Sequence, residues 1–161
     1  MYFKTTTRFG EILDDGSVKV KPHFLLVDAV DFIDAQTRTV QFWEPFVARG
    51  FELEVGSISK TSVLKILGDV EAESFFSFII EFLISDDRGK EKAVKESYVI
   101  GADSIEDADE IGRRELIAEA GLGTRVVELK VTNLMAVMVD ENEEEEEEED
   151  ENPYEDEEDN F

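Results

Sequence analysis

Cysteine is absent from this chain, and histidine and tryptophan occur once each, at His23 and Trp43. Without thiols there is no disulfide framework and no thiolate metal centre. With a single imidazole there is no Ser–His–acid or Cys–His order, and neither a phosphate loop nor a glycine fingerprint is present. Carboxylates are plentiful, but none is paired in a context that would raise a pKa. The reading is a non-enzyme with no cofactor and no metal. His23, next to Pro22 on a predicted strand, reads as structural or surface-borne. No apolar run approaches the roughly 18 residues a membrane span needs, and the opening MYFKTTTRFG lacks the apolar core of a signal peptide. These two absences give the expectation of a soluble protein of the cytoplasm.

Basic residues are also scarce, and their shortage has a position. The 161 residues hold 41 acids against 16 bases, net −25. From Asp140 to Phe161 there are 16 acids, seven of them the consecutive Glu143 to Glu149, and no base. The remaining 139 residues therefore carry 25 acids against 16 bases, net −9, which counts against nucleic-acid binding by bulk charge. A block of like charge with little to bury does not collapse, so 140–161 is expected to be a disordered tail. The glutamate run lacks the alternating ligands and glycine of a calcium loop. The tail ends on a ring, Phe161, after Asp159 and Asn160, a tip suited to capture by a basic pocket on a partner.

The body reads as one unit written twice. FLLVDAVDFIDA near residue 26 and SYVIGADSIEDA near residue 99 align on a shift of 73, which matches Val27 with Ile100, Ala29 with Ala102, Asp34 with Asp107 and Ala35 with Ala108. Each is preceded by a hairpin signal, Asp14 to Ser17 and Asp86 to Gly89, and followed by a helical stretch and a β-rich run. Alternation predicts a strand from Tyr2 to Leu13 with Phe3, Thr5, Thr7 and Phe9 on one face, then a second strand to Val27. Asp31 reads as an N-cap, Pro45 ends the helix that follows, and a strand runs over 51–58 with 62–67 as its extension. In the second copy, a strand over 76–84 precedes a helix from the Ser104 cap to Ala120, and Val126 to Val139 forms one last strand. The fold class is α+β: two tandem β-β-α-β repeats, 1–68 and 74–139, forming one mainly antiparallel sheet with two helices on one face, in a domain of 1–139.

Several rings sit beside bases on the hairpins. Aromatic planes next to cations are what single-stranded nucleic acid requires, because bases stack on the rings for roughly 1–3 kcal/mol each while Lys and Arg neutralise phosphates. The candidate set is Lys4, Arg8, Lys19, Lys21, Arg88, Lys90, Lys92 and Lys95 for phosphates and Phe9, Phe24 and Tyr98 for stacking. The bland alternative is that the rings fill a sheet's inner face and the lysines keep edge strands soluble.

With its twice-written hairpin followed by LVDAVDFIDA and VIGADSIEDA, the body resembles a family of small duplicated proteins of Bacteroidetes and their phages whose function is unknown. The tail, over Glu155 to Phe161, resembles the acidic C-terminal arm of phage and bacterial single-stranded DNA-binding proteins. That resemblance implies an arm that docks replication partners through Asp159, Asn160 and Phe161 and competes with DNA for the binding cleft. Two departures stand: those proteins usually carry a five-stranded barrel, and their tip commonly has Pro where this chain has Asn160. The expectation is a phage-type single-stranded DNA-binding protein of replication or recombination, acting in the host cytoplasm if phage-encoded, with a homodimer left open. The alternatives are an acidic DNA mimic that inhibits a host nucleic-acid enzyme, and a virion assembly protein.

Overall fold

In the computed structural model, which describes residues 1–118, 120 and 123–140, the chain opens with a long hairpin. Strand β1 (Tyr2–Ile12) runs antiparallel to β2 (Val18–Asp28), with Tyr2 opposite Asp28 and Ile12 opposite Val18. The reversal is made by Gly16 at φ +82°, a left-handed backbone that glycine adopts without a Cβ clash. Alternation sends Phe3, Thr5, Thr7 and Phe9 to one face, where all four are buried.

Helix α1 (Phe32–Trp43) covers that face. Its start is fixed twice: the Asp31 carboxylate accepts the Asp34 N–H at 2.8 Å, and Asp34 accepts the Val30 N–H at 3.0 Å. Pro45 stands in the 3₁₀ turn Glu44–Phe46 that ends the helix. Strand β3 (Glu54–Lys60) then returns antiparallel to β1.

At Thr61 the chain leaves this sheet. The Thr61 N–H and hydroxyl both donate to the Tyr2 carbonyl, at 2.9 and 2.8 Å, and turn the backbone away. Strand β4 (Val63–Gly68) is therefore no extension of β3. It pairs in parallel with β6 (Glu91–Gly101), the second strand of the next hairpin, whose first strand is β5 (Phe75–Ser85). Helix α2 (Ile105–Gly112), capped by the Ser104 hydroxyl, continues into a π turn, Arg113–Ile117, and β7 (Arg125–Val131) pairs antiparallel with β5. At Thr132 the same device recurs, its N–H and hydroxyl donating to the Phe75 carbonyl. The chain crosses back, and β8 (Ala136–Met138) adds in parallel to β2.

There are thus two four-stranded sheets, β3-β1-β2-β8 and β4-β6-β5-β7, where the sequence suggests one. The expected shared face for both helices gives way with it: α1 packs on the first sheet and α2 on the second. The stretch 126–139, read as one strand, is two strands in different sheets, and the second helix passes from α to π after Gly112 and ends at Ile117 rather than Ala120. A third apolar cluster joins the sheets, with Tyr2, Leu26 and Val137 from the first against Ile66, Phe75 and Val99 from the second. Each sheet thus borrows its outer parallel strand from the other end of the chain.

Candidate nucleic-acid interface

Every residue from Ile12 to Val20 is exposed, and so is every residue from Leu83 to Ala93. These are the distal ends of the two hairpins, and they form two arms whose strands are held by cross-strand pairing. Residues directly opposed across an antiparallel pair share a face, so register assigns each candidate cation a side.

In the first arm, Lys19 stands opposite Glu11 and Lys21 opposite Phe9, all on the α1 side. Lys21 Nζ lies 2.7 Å from Glu11 Oε2, and His23 Nε2 lies 3.5 Å from the same oxygen. The Lys21 contact comes first among the causes that hold the Glu11 carboxyl below its usual range. Lys4, Arg8 and Phe24 lie on the opposite face. Lys4 is held there, its Nζ 5.3 Å from the Phe24 ring centre and 2.7 Å from Asn133 Oδ1. Arg8 is exposed and faces Glu54 across β1 and β3.

In the second arm, Arg88 and Lys90 flank the turn, and their backbone N–H groups donate to Asp86 Oδ1 at 2.9 and 2.8 Å. This aspartate shapes the turn and leaves both side chains exposed. Lys92 is exposed opposite Ile84. Lys95 is exposed on the other face, opposite Glu81, which is itself bridged to Arg125 at 2.7 Å.

The rings depart from expectation. Phe9 is only 2% exposed and stacks on the buried His23 at 3.7 Å and 7°, so no base reaches either face. Phe24 is half-buried beneath Lys4. Tyr98 is half-buried on the α2 side, and its hydroxyl donates to Glu96 Oε2 at 2.6 Å. Desolvation, helped by that carboxylate, pushes the phenol up to about 12. The structure therefore divides the cations between two sheets and between the two faces of each, and it places Phe9 in the core and leaves Phe24 and Tyr98 half-buried. Asp159, Asn160 and Phe161 lie outside the described residues.

What the sequence reading missed is the aliphatic content of the arms. Val20 is 55% exposed and Leu83 is 56% exposed, and Ile12, Val18 and Ile84 are exposed with them. The charge balance was also legible but unread: 8–21 holds three bases and three acids, and 81–95 holds four of each, so the net −9 of the body lies outside these two stretches.

A family model covers residues 1–142, all of the chain ahead of the glutamate run. The chain belongs to DUF4494, a domain of unknown function. The DUF4494 match takes in both hairpins, both helices and all eight strands. Neither curated proteins nor solved structures give a match to this chain. No helix among the described residues is long and apolar enough to cross a membrane, and no group of three or more metal-ligating side chains is found among them.

Proposed function

We propose that the protein binds single-stranded DNA through its two hairpin arms, as a phage-type binding protein of replication or recombination, and that its two halves are copies of one β-β-α-β unit. The observation that carries the reading is the pair of arms, close to charge-neutral in an otherwise acidic body, presenting Lys19, Arg88, Lys90 and Lys92 beside exposed aliphatic side chains. Cations on a thin ribbon neutralise phosphates, and aliphatic wedges at its tip contact unstacked bases. The duplication is supported by registers that repeat on the shift of 73: β1 and β2 fall on β5 and β6, and bulges occur at Thr6/Thr7 and Ile79/Ile80. In this reading the protein is a binder and not an enzyme, and the acidic tail competes with DNA for the arms and engages replication proteins.

The test is fluorescence anisotropy of a labelled oligonucleotide with the full chain and with a chain ending at Asp140. Binding that weakens with salt, and tightens severalfold on removing the tail at low salt, is the expected result. No binding by either chain at low ionic strength overturns it. The burial of Phe9 favours a second reading, an acidic DNA mimic, whose mark is that null result together with salt-sensitive association with a basic host protein.

A further inference from the structure

The two halves diverge at one place beneath the hairpins. In the first, the space between the hairpin and the end of α1 is closed by rings: Phe9 on His23, Trp43 with its centre 5.2 Å from His23, and Phe51 against Gly10. On the shift of 73 the corresponding positions are Phe82, Glu96, Leu116 and Thr124. Registers support the match, since His23 faces Thr7 and Glu96 faces Ile80, while Gly50 and Gly123, just ahead of Phe51 and Thr124, both have positive φ.

The second half keeps Ile80, Phe82, Tyr98 and Leu116 along this space, but at the positions matching His23, Trp43 and Phe51 it carries no ring. A cleft of about 630 Å³ opens there, with Glu91, Glu96 and Glu115 among its lining residues. We propose that this cleft binds a guanidinium group, a flat cation that fills the place of the first half's rings and pairs with the carboxylates. Its location rests on reading the halves as copies, and although its mouth reaches the second arm at Leu83, Ser85 and Glu91, the residues that test it, Glu96 and Leu116, lie outside the arms.

Two features fit a guanidinium better than a rounded cation. Rings occupy the matching positions of the other half, and a planar ion with apolar faces lies well on Phe82 and Leu116. Glu96 is held in place by the Tyr98 hydroxyl on Oε2, which leaves Oε1 without a partner among the described residues. A fixed carboxylate edge suits the paired N–H donors of a guanidinium. An ammonium would be accepted by the same charges but offers no planar apolar face to Phe82 and Leu116. The cation is either an arginine side chain of a partner protein or a free small guanidinium compound.

The full chain is titrated with agmatine, with a blocked Gly-Arg-Gly peptide, and with cadaverine as the ammonium control, following NMR shifts of Leu116 and Thr124. At least one guanidinium probe should bind about tenfold more tightly than cadaverine. A preference for the peptide assigns the site to an arginine of a partner, and a preference for agmatine assigns it to a free compound. Glu96→Gln should weaken binding about tenfold. Leu116→Trp, which restores the first half's ring, should abolish it while circular dichroism and the melting temperature stay at or above the parent's. Equal binding of cadaverine, no shift with either guanidinium probe, or unchanged affinity in a folded Leu116→Trp variant overturns the proposal. Loss of DNA binding by the arms would leave these outcomes untouched, so the two readings fail separately.

Discussion

Gly112 shows how closely each helix is seated. A Cβ built on it would fall 2.5 Å from atoms of the Phe78 ring, whereas the matching residue of α1, Thr39, fits there by hydrogen bonding to Thr5 at 3.0 Å. Gly112→Ala should therefore destabilise by about 1–3 kcal/mol through overpacking, despite the roughly 1 kcal/mol that alanine gains in helix propensity. Urea denaturation checks this, and a neutral or stabilising result would mean that α2 does not sit on Phe78. Glu11 carries a pH dependence. Its folded pKa is held below the ordinary 4.5, chiefly by Lys21, so its contribution to stability is present above that value and is lost as pH falls through the folded pKa. Glu11→Gln should lower the midpoint of urea unfolding at neutral pH and merge with the parent in acid. A gap that stays constant with pH would contradict this. At this scale the sequence was readable in part. Alternation put Phe9 with Phe3, Thr5 and Thr7, but nothing local said that α1 would cover this face, and adjacent cations made a core ring look like a binding one.

Elements were legible one by one, and their partners were not. Both hairpins, their turns and the two caps follow from spacing that depends on nearby residues alone. The crossings depend on contacts far along the chain. Alternation over 62–67 announces a strand without naming its sheet, so β4 reads as a continuation of β3. The signal available was the repeated threonine: Thr61 and Thr132 each lie two residues before a strand-side apolar residue, Val63 and Leu134, whose N–H donates back to that threonine's hydroxyl at 3.3 Å. Because β8 covers the edge of β2 with three residues and places Val137 in the cluster between the sheets, it has a large effect for its length. Val137→Asp should destabilise by about 2–4 kcal/mol, as a carboxylate replaces a buried apolar group. Hydrogen exchange at Leu26 and Val27 should rise with it. A loss under 1 kcal/mol would show that β8 is dispensable.

For the whole molecule, the borrowed strands set how the chain can be divided. A cut after Gly68 removes β4 from its partner β6, and it leaves β2 without β8. Residues 1–68 and 69–142 should each fail to give a cooperative melt alone and should recover one when mixed. Independent melting of either piece would show that its sheet stands without the exchange. The division at 68 was drawn from the sequence as the boundary between copies, and as a boundary of the written unit it coincides with the end of β4. As a boundary of folding it would part β4 from β6 and β2 from β8, which is what those melts test.

The exchange also has a consequence during synthesis. A ribosome that has delivered β1, β2, α1 and β3 has delivered three strands of the first sheet, yet its fourth is encoded some seventy codons further on, at Ala136–Met138. Until then the nascent chain holds a naked β2 margin and an uncovered Leu26, so completion of the earliest sheet awaits the emergence of β8 from the exit tunnel.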